Sequence, residues 1–242
     1  MPELLFYQKP TPLDARLHRE LRLTAQATHY GFAAATNSVV LTGVEFIEAA
    51  KEYPIVFAKV GDKVVPVAVL GVRDAENLFV KPDGGWNARY IPAFVRRYPF
   101  VLAGSEAAQQ LTVCFDAEFP GFVSSGTEGQ PLFDEQGQPT PWLNQAIRFL
   151  QEYQAQVRRT ETFVNRLTGL DLLVERSVRV EFPNSIQRSL QGLLAVDEQK
   201  LLALSKPQAL ELFRCGELSW VYAHLASLSN MGRLVDLMAG RT

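Results

Sequence analysis

The stretch PIVFAKVGDKVVPVAVLGV, residues 54–72, sets two β-rich runs on either side of Gly61-Asp62. A two-residue connection between strands needs positive φ, which glycine reaches at little steric cost, so the pattern predicts a β-hairpin. Pro66 has no N–H to give to a ladder and predicts that the second strand lies at an edge or carries a bulge.

Upstream, VVLTG (39–43) reads as a strand and VEFIEAAKEY (44–53) as a short helix with Val44, Phe46 and Ile47 facing inward. LDARLHRELRL (13–23) suits a short helix, and THYGFAAATN (28–37) a loop entering the fold. Downstream, NLFV (77–80) is a third β run, KPDGG (81–85) a turn, and FVLAG (100–104) and LTVCFD (111–116) two more strands. Short strands with hairpin connections imply a mainly antiparallel sheet. Residues 117–139 carry glycines at 121, 126, 129 and 137 and read as an ordered loop or short hairpin.

Thr140-Pro141 is a helix start, threonine as N-cap and proline at the first position. Leu143, Ile147, Leu150, Tyr153, Val157, Val164 and Leu167 then keep helical spacing, and Gly169 is placed to end the helix. Such a helix is roughly 40 Å long at 1.5 Å per residue. SVRVEF (177–182) and SLQGLLAV (189–196) form a second β pair. Asp197 and Ser205-Lys206-Pro207 start two short helices, and a last helix runs from about 218 to 238 with a break at Asn230 to Gly232. The expectation is an α+β protein: a mainly antiparallel sheet from the N-terminal half packed against a long helix and C-terminal helices. It is read as a single domain over 1–242, a β-rich layer at 30–140 and a mostly helical layer at 141–242.

Hydrophobic content of 47% with 21% charged residues is globular rather than disordered. A net charge of -2 gives no electrostatic reason to expect nucleic acid, whose binding usually needs a basic face. No basic segment followed by an apolar run and a cleavage site opens the chain, and nowhere do eighteen apolar residues follow one another. Cys114 and Cys215 lack metal-ligand spacing and read as reduced, buried thiols. These features predict a cytoplasmic protein with no membrane span.

WNARYIPAFVRRYPF (86–100) holds five aromatics and three arginines with no acid. Pro92 suits a first helical position and Pro99 stops any helix before it, which predicts a two-turn helix from Pro92 to Tyr98. Phe94, Val95 and Tyr98 would face the sheet, with Arg96 and Arg97 towards its rim. Such aromatics are most often core anchors, and arginines beside them satisfy nearby acceptors. The functional reading is an anion- or peptide-binding notch built from Trp86, Arg89, Tyr90, Arg96 and Arg97, the arginines holding a carboxylate or phosphate over an aromatic floor.

Other chemistries find little support. GFVSSGTE (121–128) has phosphate-loop spacing but Thr127-Glu128 where Lys-Ser/Thr is needed. No G-x-G-x-x-G follows a strand, and no G-x-S-x-G or H-E-x-x-H occurs. His18, His29 and His224 share no ligand spacing, and His224, inside the last helix, reads as a satisfied, half-buried residue or a general base if it lines a cleft. Asp116, Glu118, Asp134 and Glu135 are the best carboxylate grouping, but each pair sits beside turn residues. No metal site and no cofactor is predicted.

In VEFIEAAKEYPIVFAK (44–59), LGVRDAENLFV (70–80), WNARYIPAFVRRYPF (86–100), PLFDEQGQPT (131–140) and GELSWVYAHLASLSNMGRL (216–234) the chain resembles the SapC family of bacterial proteins. The resemblance spans nearly the whole chain. It implies a soluble accessory or binding protein with a protein or peptide partner, halogenase-like or cupin-like proteins among them, and brings no catalytic residue set with it. An enzyme using the acidic residues or His224 is the alternative, and a structural component of a surface-layer system, from which the family takes its name, is the second.

Overall fold

The computed structural model describes residues 4–24, 29–104, 111–124, 126–181 and 187–240. Among them the strands are β1 (Pro10–Pro12), β2 (Arg22–Leu23), β3 (Ser38–Val40), β4 (Ile55–Val60), β5 (Lys63–Val69), β6 (Phe100–Ala103), β7 (Thr112–Asp116), β8 (Phe122–Val123), β9 (Gln130–Pro131), β10 (Leu173–Glu181) and β11 (Gln187–Val196). The α-helices are α1 (Phe46–Ala49), α2 (Ala93–Arg96), α3 (Pro141–Gly169), α4 (Glu198–Leu202), α5 (Lys206–Arg214), α6 (Glu217–Ser227) and α7 (Met231–Ala239). The architecture is α+β with antiparallel sheets. The chain divides into two compact units: unit 1 is Met1–Ala33, Pro82–Gly85 and Val95–Ala155, and unit 2 is Ala34–Lys81, Trp86–Phe94 and Gln156–Thr242.

Unit 2 holds the expected hairpin. Val60 faces Lys63 across Gly61-Asp62, and Gly61 has φ 60, as a glycine-first two-residue turn requires. The sheet order is β10-β11-β4-β5-β3, so β5 is interior and not an edge. Pro66 is tolerated for a local reason. Its carbonyl accepts the Leu41 N–H at 2.9 Å, and β3 ends at Val40, so the missing N–H faces the flank just beyond the end of β3.

The helix expected over 44–53 is shorter and turned. A 3-10 turn (Gly43–Glu45) leads into the single turn α1, where Phe46 and Ala49 are buried, while Val44 and Ile47 are 43% and 52% exposed. The Phe46 ring meets those of Phe57, Phe163 and Trp220 at 6.1–6.4 Å between centroids. From Gln156 onward α3 buries Phe163, Val164 and Leu167 in this unit. Thr160 Oγ1 accepts the Gly43 N–H at 2.8 Å, and a Cβ on Gly43 would lie 2.3 Å from two ring carbons of Trp220. Gly43→Ala is therefore expected to destabilise the protein by about 1–3 kcal/mol through overpacking, read as a lower urea midpoint.

α3, about 43 Å long for its 29 residues, does end at Gly169. The left-handed residue is Asp171, φ 53, and the Leu172 N–H then reaches the Leu167 carbonyl at 3.0 Å. β10 starts four residues earlier than the sequence suggested, because the polar Glu175-Arg176 pair hides the strand's beginning. Asp197 Oδ1 caps α4 by accepting from Gln199 and Lys200, and Ser205 with Gln208 closes a capping box on α5. The break expected at Asn230 to Gly232 falls two residues earlier, in a 3-10 turn at Leu228–Asn230, and Gly232 lies inside α7. NLFV is not a strand: Val80 makes a single bridge to Trp86.

Unit 1 contains two three-stranded sheets, β1-β7-β6 and β8-β2-β9. No helix forms over 13–23. Asp14 Oδ1 instead accepts the Arg16 and Leu17 N–H groups in a turn, and the segment ends in β2. The turn-rich 117–139 region supplies β8 and β9, both pairing with β2. Leu23, Phe100, Phe115, Phe119, Leu132 and Leu143 belong to the core of this unit. No helix among the described residues is long and apolar enough to cross a membrane.

Candidate functional site

The five residues singled out in the sequence fall in both units. Arg96 and Arg97 belong to unit 1, and Trp86, Arg89 and Tyr90 to unit 2. The helix expected from Pro92 to Tyr98 is a single turn, α2, and of the five residues it carries only Arg96.

In unit 1 the chain leaves α2 through a turn in which Tyr98 N–H bonds Val95 O and Phe100 N–H bonds Arg97 O, and continues as β6. Facing it is the first half of α3, started by Thr140, whose hydroxyl donates to Pro131 O at 2.9 Å and accepts from Leu143 N–H at 3.3 Å. Leu143 and Leu150 point into the core. Trp142, Ala146 and Phe149, spaced four and three apart, are half-buried and line a cleft of about 410 Å³ with Arg96, Arg97 and Pro99.

Arg96 is exposed at this cleft, its guanidinium carbon 5.0 Å from the centroid of the Phe149 ring. Arg97, expected at the rim, is buried at 6% exposure, its guanidinium 5.2 Å from the Tyr153 centroid. The one-turn helix explains the difference: the chain reverses immediately after Arg96, which carries Arg97 inward. The residues around the cleft include two arginines and no Asp, Glu, His or Cys. Such a lining can hold an anion against aromatic surface, and it supplies no carboxylate or imidazole for proton transfer.

Asp116, a candidate acid in the sequence, is fully buried. Its carboxylate accepts the backbone N–H groups of Gln8, Lys9 and Glu118 and the Tyr98 hydroxyl at 2.8–3.3 Å. Burial, with the Asp116 bond next, pushes the Tyr98 phenol up. Asp134 is occupied in its own turn, accepting from Gln136 and Gln138, and Glu135 is exposed. No cluster of three metal-ligating side chains occurs among the described residues.

In unit 2 Trp86 stacks on Phe79, 6.4 Å between centroids and 19° between planes, and its Nε1–H donates to Tyr53 OH at 2.7 Å. Tyr53 OH in turn donates to the Tyr90 carbonyl, and Tyr90 OH to Glu45 Oε1 at 2.8 Å. Trp86 and Tyr90 thus tie their segment down. The Arg89 side chain is exposed while its N–H bonds Glu52 Oε1 at 3.2 Å.

His224 is fully buried, beyond the half-burial expected. Nδ1 donates to Ile55 O at 2.8 Å and Nε2 accepts from Val196 N–H at 3.0 Å, so both ring nitrogens serve the backbone and neither is left to act as a base. Cys114 is buried, but Cys215, expected inside, is exposed at the end of α5, and both are free thiols.

Trp142 and Phe149 were missed in the sequence. Leu143, Ile147 and Leu150 mark one stripe of α3, and a second stripe beside it, two aromatics seven residues apart, carries the signal. The family model described as SapC matches residues 13–234. No curated protein and no solved structure matches the chain.

Proposed function

The chain belongs to the SapC family, and from that premise we propose that it is a non-catalytic accessory protein whose unit 1 cleft holds an acidic segment of a peptide or protein partner. The observation that carries this reading is the exposed Arg96 guanidinium set over Phe149 in a cleft that has two arginines, no acid and Trp142 on its wall. Fixing a guanidinium on a ring spares it ordering entropy on binding, and an aromatic wall adds contact area at low cost in freedom. A cytoplasmic setting accords with two free thiols.

Selection from a random peptide library against the whole protein tests the reading. Peptides carrying a carboxylate beside an apolar residue are expected to be enriched. Arg96→Glu, at an exposed position, is expected to raise their dissociation constant tenfold or more with the melting temperature unchanged. No acidic consensus, or equal binding by the variant, would end the proposal.

A further inference from the structure

We propose that a second, separate cleft, in unit 2, binds a small carboxylate. Its volume is about 380 Å³ and its walls are Glu48, Lys51, Glu52, Arg89, Tyr90 and Arg233. The buried carboxylate of Glu52 organises it. Glu52 Oε1 accepts the Arg89 N–H at 3.2 Å, and Oε2 pairs with Nη1 of Arg233. Arg233 is also held from its face, the guanidinium lying 5.6 Å from the Phe79 centroid. One buried acid therefore brings two arginines, from the 86–90 segment and from α7, to the same opening.

The charges leave a place for one anion. Lys51 bonds Glu48 at 2.6 Å, but both side chains are more than half exposed, so this pair is worth little and yields easily. Glu52 occupies Nη1 of Arg233, out of five guanidinium donors. Among the described residues no ion pair takes up Arg89. Three cations against two acids leave one positive charge, which a single carboxylate neutralises. The planar guanidinium fork matches a carboxylate, and Glu48 and Glu52 would repel a doubly charged phosphate. The cavity has the size of an organic acid of several carbons rather than of a folded partner.

The inference does not depend on the unit 1 cleft, and its test keeps the two apart. Isotope-labelled full-length protein is titrated with acetate, and separately with inorganic phosphate, at constant ionic strength and neutral pH, following the Arg89 and Arg233 side-chain NH signals. Acetate is expected to give saturable shifts, weakened fivefold or more by Arg89→Gln, tightened by Glu48→Gln and left as they were by Arg96→Glu. Arg89 and Glu48 are exposed, so neither variant endangers the fold. Shifts that stay linear, an Arg89→Gln protein that binds acetate equally, or phosphate binding more tightly than acetate would each overturn the assignment.

Discussion

Replacing Glu45 with alanine is expected to destabilise the protein by about 3–5 kcal/mol, because a buried acceptor for several donors disappears. Glu45 is 5% exposed, and its carboxylate accepts four hydrogen bonds. Oε2 takes the Thr42 N–H and hydroxyl, both at 2.8 Å, and Oε1 takes the Tyr90 hydroxyl at 2.8 Å and the Ala93 N–H at 2.7 Å. Thr42 and Ala93 are buried, so their donors find no water when the carboxylate is gone. Glu45→Gln keeps one acceptor oxygen and is expected to lose a part of the stability that alanine loses. Urea unfolding measures both. An alanine variant within about 0.5 kcal/mol of the parent, the ordinary range of a surface change, would show that the segment from Tyr90 to Ala93 is anchored by other means.

His224→Leu is expected to cost a similar amount at neutral pH, about 3 kcal/mol or more, by orphaning the Val196 N–H and the Ile55 carbonyl. The pH response identifies the cause. Burial lowers the imidazole pKa from 6.5 to about 4, partly opposed by the bond to Ile55. An unfolded chain protonates this histidine near 6.5, so between there and about 4 the unfolded state binds the extra proton. The contribution is complete above pH 6.5 and drains away as pH falls towards about 4, to the extent of about 3 kcal/mol. The gap between parent and His224→Leu is therefore expected to narrow in denaturant titrations moved from pH 7.5 to 4.5. A gap independent of pH would mean that the ring is solvated in the native state.

What the sequence disclosed was local. The Gly61-Asp62 turn, the Thr140 start of α3 and the Asp197 cap depend on residues within a few positions of one another, and each forms. What it concealed was set by distant neighbours. Pro66 sits inside a sheet because β3 happens to stop beside it, a fact about residue 40 and not residue 66. Ile47 faces out and Phe46 in because three rings from α3, β4 and α6 surround the latter. The same holds for the candidate residues. The aromatic–arginine segment was visible as composition, but the half of α3 that completes the cleft at Arg96 lies some fifty residues further on. Arg97 and His224 were misplaced or underestimated for one reason: burial is a property of the packed chain.

The unequal surroundings of the two thiols give this protein a ready chemical reporter. Cys215 is open to solvent, whereas Cys114 lies inside β7, where burial pushes its thiol pKa up and a maleimide has no approach. A dye added to the native protein should attach once, at the end of α5. A second label should arrive only when the packing over β7 opens, so the rate of that slow second addition counts how often this part of unit 1 opens.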